Sequence, residues 1–429
     1  MKRKIEEILL AWKHKANRLP LIVRGARQVG KTYTILNFGK KHYKKVLYFN
    51  FENNNELASI FQRDLNTKRI INELAIYIGE SFDKDCLIFF DEIQSNDQAL
   101  NSLKYFAEEN AAYHIIAAGS LLGVAVNRQD YSFPVGKVDF ADMYPLDFEE
   151  FIWALNKPKV VQIIKESFHT NTECNLHDSF LDLFRQYIYL GGMPQVIKEY
   201  LELNDYAIVQ SLQKNIDNSY IADMAKYASK EETVRIYAAY QSMLSQLAKE
   251  NKKFQYKTIK SGSRANVYET AIDWLKSSGI VLMCYKINQG YIPLNAHTDY
   301  SSFKMYHADV GILSSKYNLP ANLVLTNNPK IDAIKGVLAE NYVATALNSN
   351  GYQLFYWESK GIAEVDFVIQ NNNGDIIPIE VKSSEHVRSK SLLQFVTNYK
   401  PIYSYRISTR NFGFENNIKS IPLYATFCI

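Results

Sequence analysis

The chain has 429 residues, 47% of them hydrophobic and 22% charged, with a formal net charge of +4. That length exceeds what one hydrophobic core supports and predicts about two to four domains, while the apolar content excludes a disordered or low-complexity chain. Cys86, Cys174, Cys284 and Cys428 are scattered without CxxC spacing, which argues against zinc and disulfide frameworks.

The start, Met1 to Asn17, mixes charges along an amphipathic helical pattern and offers no cleavable apolar segment. No later apolar run approaches the roughly 18 residues that a membrane span requires, so a cytoplasmic protein with no membrane partner is expected. An apolar run, Leu19 to Val23, leads into Gly25-Ala26-Arg27-Gln28-Val29-Gly30-Lys31-Thr32, which fits GxxxxGK[ST] at every fixed position. In this strand, loop and helix context the pattern predicts a P-loop. Backbone N–H groups of Gly25 through Gly30 would cradle phosphates, Lys31 would place a charge near the β and γ phosphates, and Thr32 would offer its hydroxyl to magnesium. The expected cofactors are ATP and Mg2+.

The run Val46 to Phe51 predicts a second strand, and Cys86-Leu87-Ile88-Phe89-Phe90-Asp91-Glu92 a third, buried on both faces and ending in two carboxylates. Asp91 would hold the magnesium shell and Glu92 would orient or deprotonate the attacking water. A fourth strand, His114 to Ala118, runs into Gly119-Ser120, where Ser120 is a candidate sensor of the γ-phosphate. Strands alternating with helical stretches describe a doubly wound parallel sheet with its ligand at the carboxyl edge.

This core resembles an AAA+ or related signal-transduction ATPase. Gly119-Ser120-Leu121-Leu122-Gly123, Pro145-Leu146-Asp147-Phe148-Glu149-Glu150-Phe151 and Gly191-Gly192-Met193-Pro194 are similar to signatures of a large prokaryotic ATPase family with a C-terminal domain of unknown function. The resemblance spans nearly the whole chain. It implies a helical lid in which Pro194 packs against adenine. It also implies a Gly-Arg pair where this chain has Gly136-Lys137. An ammonium cannot fork across two phosphate oxygens as a guanidinium does, which leaves Arg128 as a substitute finger.

Between residues 226 and 316 the chain carries thirteen Lys and Arg against seven Asp and Glu, so the positive charge is concentrated there. Ile236, Ala239, Tyr240, Met243 and Leu244 recur at helical spacing, and Lys249, Lys252, Lys253, Lys257 and Lys260 follow. Ser261-Gly262-Ser263 then precedes a helical run from Arg264 to Ser277, a strand from Ile280 to Ile287, a tip at Asn288-Gln289-Gly290 and a return strand from Tyr291. This is the order of a winged helix. Arg264, Asn266 and Tyr268 would face DNA bases while Lys257 and Lys260 take phosphates; docking on a protein partner is the alternative.

Glu340, Asp366 and Glu380-Val381-Lys382 resemble the PD-(D/E)xK nuclease pattern. Strands Glu364 to Gln370 and Ile376 to Ser383 flank Asn371-Asn372-Asn373-Gly374-Asp375 and read as a hairpin. A turn centred on Asn373 sets Asp366 opposite Glu380 and Glu364 opposite Lys382, all on one face. Facing carboxylates call for a divalent cation, with Lys382 stabilising a scissile phosphate. Glu340 interrupts an apolar helical neighbourhood of Val337, Val343, Ala344 and Leu347 and needs a partner.

The expected fold is thus α/β: a P-loop core over residues 1–155, a helical lid over 156–225, a winged helix over 226–316 and an α/β PD-(D/E)xK nuclease-like domain over 317–429. The expected activity is ATP hydrolysis coupled to a DNA-binding winged helix and a metal-dependent nuclease. The competing reading is an ATP-driven switch for a protein partner, with the last domain non-catalytic.

Overall fold

A computed structural model describes residues 1–120, 134, 136–262, 264–359, 363–383 and 390–429. Its contacts divide the chain into two compact units, Met1–Tyr144 with Ser277–Gly279, and Pro145–Lys276 with Ile280–Ile429.

The first unit carries helices α1 (Ile5–Lys13), α2 (Lys31–His42), α3 (Asn55–Gln62), α4 (Thr67–Ile78) and α5 (Asp97–Glu109). Its strands are β1 (Leu21–Arg24), β2 (Lys45–Asn50), β3 (Cys86–Asp91), β4 (His114–Gly119) and β5 (Asp139–Asp142). They form one parallel sheet in the order β2-β3-β4-β1-β5. Every residue of β3 is buried, as its unbroken apolar run requires. Phe51, Phe61 and Phe90 meet edge to face in the core under this sheet. Asn54, Asn66 and Asn96 accept from Leu57 N, Arg69 N and Ala99 N and so start α3, α4 and α5. The strand order sets the carboxyl ends of β1, β4 and β3 side by side, the crevice where open α/β sheets bind ligands.

The second unit begins earlier than residue 155. Asp147 caps α6 (Phe148–Ala154) in a reciprocal capping box with Glu150, and the rings of Phe148 and Phe151 pack on Tyr187. These contacts tie the expected end of the first segment into the helical region, so the boundary lies at 144/145. Helices α7 (Pro158–Thr170), α8 (His177–Leu190), α9 (Pro194–Leu203) and α10 (Tyr206–Tyr227) follow. Then come α11 (Lys230–Leu247), α12 (Tyr256–Ile259) and α13 (Ala265–Ser277), with α11 entered through a capping box of Ser229 and Glu232.

The remaining strands are β6 (Val281–Ile287), β7 (Thr298–His307), β8 (Phe355–Ser359), β9 (Ala363–Gln370), β10 (Ile376–Val381), β11 (Ser404–Ser408), β12 (Gly413–Glu415) and β13 (Ile418–Pro422). Interspersed are α14 (Val310–Lys316), α15 (Ala321–Leu325), α16 (Asp332–Ser349) and α17 (Lys390–Tyr399). The strands form one mixed sheet in the order β12-β13-β11-β10-β9-β8-β6-β7. The expected boundary at 316/317 is therefore corrected. Strand β6 pairs antiparallel with β7 as a wing would, but also pairs parallel with β8, which hides an edge that an isolated wing would expose. The return strand starts at Thr298 and not at Tyr291, since Pro293 lacks the N–H that a ladder needs.

A clasp within this unit explains the Gly191-Gly192 pair. Asp309 caps α14 by accepting from Ile312 N at 2.8 Å and also accepts from Gly192 N at 2.6 Å. Leu146 N donates to Gly192 O at 2.7 Å. A Cβ on Gly192 would lie 2.0 Å from Leu146 O, and one on Gly191, at φ +71°, would lie 2.3 Å from Asp309 Oδ1. Gly192→Ala is expected to destabilise this unit by about 2–3 kcal/mol through backbone displacement. A urea midpoint unchanged from that of the parent chain would show that the clasp does not constrain the fold.

Candidate active site

The loop joining β1 to α2 holds the first constellation. Gly25 is at φ +151°, and a Cβ there would lie 2.1 Å from Met143 O. Gln28 and Gly30 are at positive φ, with Gly30 capping α2 in the left-handed region. Among the eight loop residues expected to bind phosphate, Ala26 and Val29 are buried while Arg27 and Gln28 are partly exposed. Lys31 is buried, and its Nζ donates to Gly25 O at 2.9 Å and Ala26 O at 2.8 Å. Burial lowers its pKa to about 8, with Glu92 and Asp91 opposing.

Thr32 Oγ1 donates to Asp91 Oδ2 at 2.8 Å, and Asp91 Oδ1 accepts from Glu92 N at 3.1 Å. A hydroxyl and a carboxylate converging at the end of a P-loop fit a magnesium ion brought in with ATP, Thr32 by direct ligation and Asp91 through water. Glu92 has φ +51°, an unusual backbone for a residue with a side chain and one that clusters at functional sites. Burial raises its pKa, Asp91 adds to the rise, and Gln94 Nε2 donates to its Oε2 at 2.5 Å. Ser120, buried at the end of β4, stands between the ends of β1 and β3 in the sheet order.

Two contributors escaped the sequence pattern. Arg3 donates from Nη1 to Val29 O at 2.9 Å and from Nη2 to Tyr144 O at 2.6 Å, pinning the loop from the N-terminal segment. Tyr48 Oη donates to Asp91 Oδ2 at 3.0 Å. Arg3 had no signal; Tyr48 had one, a polar group two residues from the end of a strand beside β3. Lys137 pairs with Glu108 at 3.0 Å, which gives it a role other than a finger, and Arg128 lies outside the described residues. Pro194 opens α9 as its first residue.

The second constellation lies in the other unit. Strand register is as expected: Gln370 faces Ile376 and Phe367 faces Ile379, so Asp366 is next opposite Glu380. Val381 N donates to Asp366 Oδ2 at 2.8 Å, and Lys382 pairs with Glu380 at 2.6 Å. Glu340 is buried in α16, with partners the sequence did not indicate. Tyr306 Oη donates to its Oε1 at 2.5 Å, Lys304 Nζ lies 3.3 Å from the same oxygen, and Lys252 pairs with Oε2. Burial pushes the Glu340 carboxyl up, but Lys252, Lys304 and the Tyr306 hydroxyl outweigh it and hold it well below its usual value. Burial and the charges of Glu340 and Glu380 raise Asp366 instead. The expected ligand set of Glu340, Asp366 and Glu380 is thus corrected. Ammonium groups fill the coordination of Glu340, and among the described residues no three His, Cys, Asp or Glu side chains are disposed to hold a metal ion.

The basic segment is likewise only partly as expected. Lys257, Lys260, Arg264 and Asn266 are exposed. Tyr268 is buried and cannot face bases, because its place on α13 points into the core. Ser263 lies outside the described residues. Among the described residues no helix is long and apolar enough to cross a membrane.

The parallel sheet, P-loop and acidic β3 end define a P-loop nucleotide-binding domain. Residues 17–152 match the family described as an AAA domain, and residues 181–323 and 335–426 match two domains of unknown function, DUF8612 and DUF4143. The chain thus carries an AAA-type P-loop ATPase domain followed by these two segments. It is 22% identical over 379 residues to the uncharacterized protein MJ1544 of Methanocaldococcus jannaschii, covering 86% of this chain and 76% of that one. Among solved structures it is similar to the Walker-type ATPase PABY2304 of Pyrococcus abyssi, with TM-score 0.45, 15% identity, and 74% and 95% of the two chains covered. It is also similar to the ORC1 protein of Aeropyrum pernix in complex with DNA, with TM-score 0.31, 10% identity, and 75% and 92% covered. Likenesses this distant carry no inference about the chain.

A pH dependence follows from Lys31. Phosphates would bind its ammonium form, which predominates below about pH 8 and is progressively lost above it in the free protein. Nucleotide affinity is expected to fall about tenfold per pH unit above that point, because binding then requires proton uptake. Titration with a fluorescent ATP analogue from pH 7 to pH 9.5 measures this; a flat profile would show that Lys31 stays charged throughout.

Proposed function

We propose that this chain binds ATP with Mg2+ and hydrolyses it, acting as an ATP-driven switch. The observation that carries the reading is the joint presence, at the ends of β1 and β3 on either side of β4, of a buried Lys31, the Thr32–Asp91 pair and a Glu92 whose carboxyl burial raises above its usual value. Lys31 draws charge from the β and γ phosphates, Glu92 takes the proton of the attacking water, and Ser120 contacts the γ-phosphate. Lys31→Ala is expected to abolish nucleotide binding. Glu92→Gln should keep affinity within about twofold and lose about 10²–10⁴ in turnover. Calorimetry and phosphate release separate the two, and equal turnover in Glu92→Gln and the parent chain would remove Glu92 from the mechanism.

The exposed Lys257, Lys260, Arg264 and Asn266 favour nucleic-acid docking through α13 and the segment before it. Phosphate contacts release counterions, so affinity should fall steeply with salt. Replacing Lys257, Lys260 and Arg264 by Ala should reduce the slope of log K against log salt by about 3. Salt-independent binding, or none at low salt, turns this segment into a protein-docking surface. Of the two roles open to the acidic cluster, metal-dependent cleavage and a non-catalytic part of the switch, the ammonium partners of Glu340 favour the second.

A further inference from the structure

Away from the two centres already described, α10, α11 and α14 meet around a polar pocket. Its volume of about 250 Å³ holds about eight waters at roughly 30 Å³ each, the room of a small metabolite rather than of one trapped water. Lys214, Asp217 and Asn218 line it from one face of α10, as their i, i+3 and i+4 spacing allows, and Gln241 lines it from α11. Ser315 and Lys316 enter from the last turn of α14, and Asn318 follows them.

Polar contacts brace the walls. Tyr240 Oη of α11 donates to Asp217 Oδ1 at 2.6 Å, and Lys316 Nζ donates to Asp217 Oδ2 at 2.9 Å. Tyr317, just past α14, donates from its Oη to Leu244 O at 2.7 Å. Each helix is thus tied to the other two, and the pocket is formed before any ligand arrives. Asp217 is fully engaged, because its Oδ1 also accepts from Lys316 at 3.2 Å. At the end of α14, Ser315 O accepts from Asn318 N at 2.9 Å and Ser314 O from Leu319 N at 3.2 Å. These acceptors already have their donors.

What the pocket lacks is a partner for its other groups. Ser315 is 4% exposed, and its Oγ is buried with no hydrogen-bond partner. Native structures seldom leave a buried hydroxyl in that state, and the cavity it lines is where a partner fits. Asn218 and Asn318 are exposed and Gln241 is partly buried, and each amide offers both donors and an acceptor. Lys214 and Lys316 against Asp217 leave one positive charge in the lining, so the charge calls for an anion and the amides and hydroxyl for a body that hydrogen-bonds. A phosphate monoester brings about −1.5 to −2 at pH 7 and overshoots, whereas a carboxylate brings the single charge that matches. We propose that this pocket binds a small hydroxylated monocarboxylate, the chemical class of the sugar acids, with its carboxylate on Lys214 and its hydroxyls on Ser315 and the amides. All of these residues belong to the second unit, and the proposal does not depend on the nucleotide reading.

The experiment is calorimetry and thermal melting of the full chain with sodium gluconate, compared with glucose, glucose 6-phosphate and sodium chloride. Gluconate is expected to bind with a Kd below about 1 mM and to raise the Tm, because a ligand of the native state alone stabilises it. Glucose, which lacks the charge, should bind about tenfold more weakly or worse, and so should gluconate to Lys214→Ala. Ser315→Ala should weaken gluconate by about threefold to tenfold yet leave the ligand-free Tm unchanged or higher, since it removes a buried polar atom that had no partner. A serine with a merely structural role would lower that Tm instead. No gluconate binding up to about 10 mM would make the pocket a hydrated junction and overturn the site. Glucose binding as tightly as gluconate overturns the anion, and a tighter glucose 6-phosphate that depends on Lys214 and Ser315 overturns the carboxylate. Gluconate affinity unchanged by both substitutions puts the ligand elsewhere and overturns the proposal as well.

Discussion

A carboxylate that leaves water at the end of a strand or inside a helix has to meet a cation or several donors, and both chemical centres of this chain are organised by that demand. Asp91 meets the Thr32 hydroxyl, the Tyr48 hydroxyl and the Glu92 N–H. Glu340 meets two ammonium groups and the Tyr306 hydroxyl. The difference lies in what an incoming ligand has to displace. Lys31 is held by neutral carbonyls of its own loop, which charged phosphates would outcompete because charge-assisted bonds are roughly twice as strong. Lys304 is held by carboxylates, which no neutral ligand displaces. The first centre is ready to exchange its partners; in the second, both oxygens of Glu340 are already taken.

How much of this was legible in the sequence depends on how local its causes are. The P-loop, the buried β3 and the carboxylates at its end are decided within a dozen residues, and the chain spells them out. The β9–β10 register was legible for the same reason, since a five-residue turn fixes it and Asn371 Oδ1 accepts from both Asn373 N and Asp375 N to hold the turn. The identity of the cation beside Glu340 was not. Lys304 is 36 positions away and arrives through the β6–β8 pairing, a long-range event that no pattern in either segment announces. Sequence correctly indicated that Glu340 needs company and misjudged its nature.

The boundary at 316/317 was drawn on local pattern in the same way. A helix, a basic stretch, a second helix and a hairpin in that order describe a winged helix from local pattern alone, yet the hairpin is consumed by a larger sheet. Tyr268 illustrates the cost of reading a helix face without knowing what packs against it: it recurs at helical spacing with Ile272 and Leu275, and all three are buried. In contrast Gly191 and Gly192 were visible only as a resemblance, and the structure supplies their reason. Three backbone segments, before α6, after α8 and at the start of α14, cross there at distances that leave no room for a side chain.

The shared sheet has a consequence for how the two segments of unknown function exist. Tyr285 and Ile287 of the first ladder directly against Phe355 and Trp357 of the second, and the core beneath them takes residues from both, among them Ile287, Leu294, Val365 and Phe395. Neither segment closes a sheet or a core by itself. A chain nicked in the connection between residues 323 and 335 would behave as two fragments that remain associated and melt together. By the same logic, either half made alone would present an unpaired, apolar strand edge and aggregate.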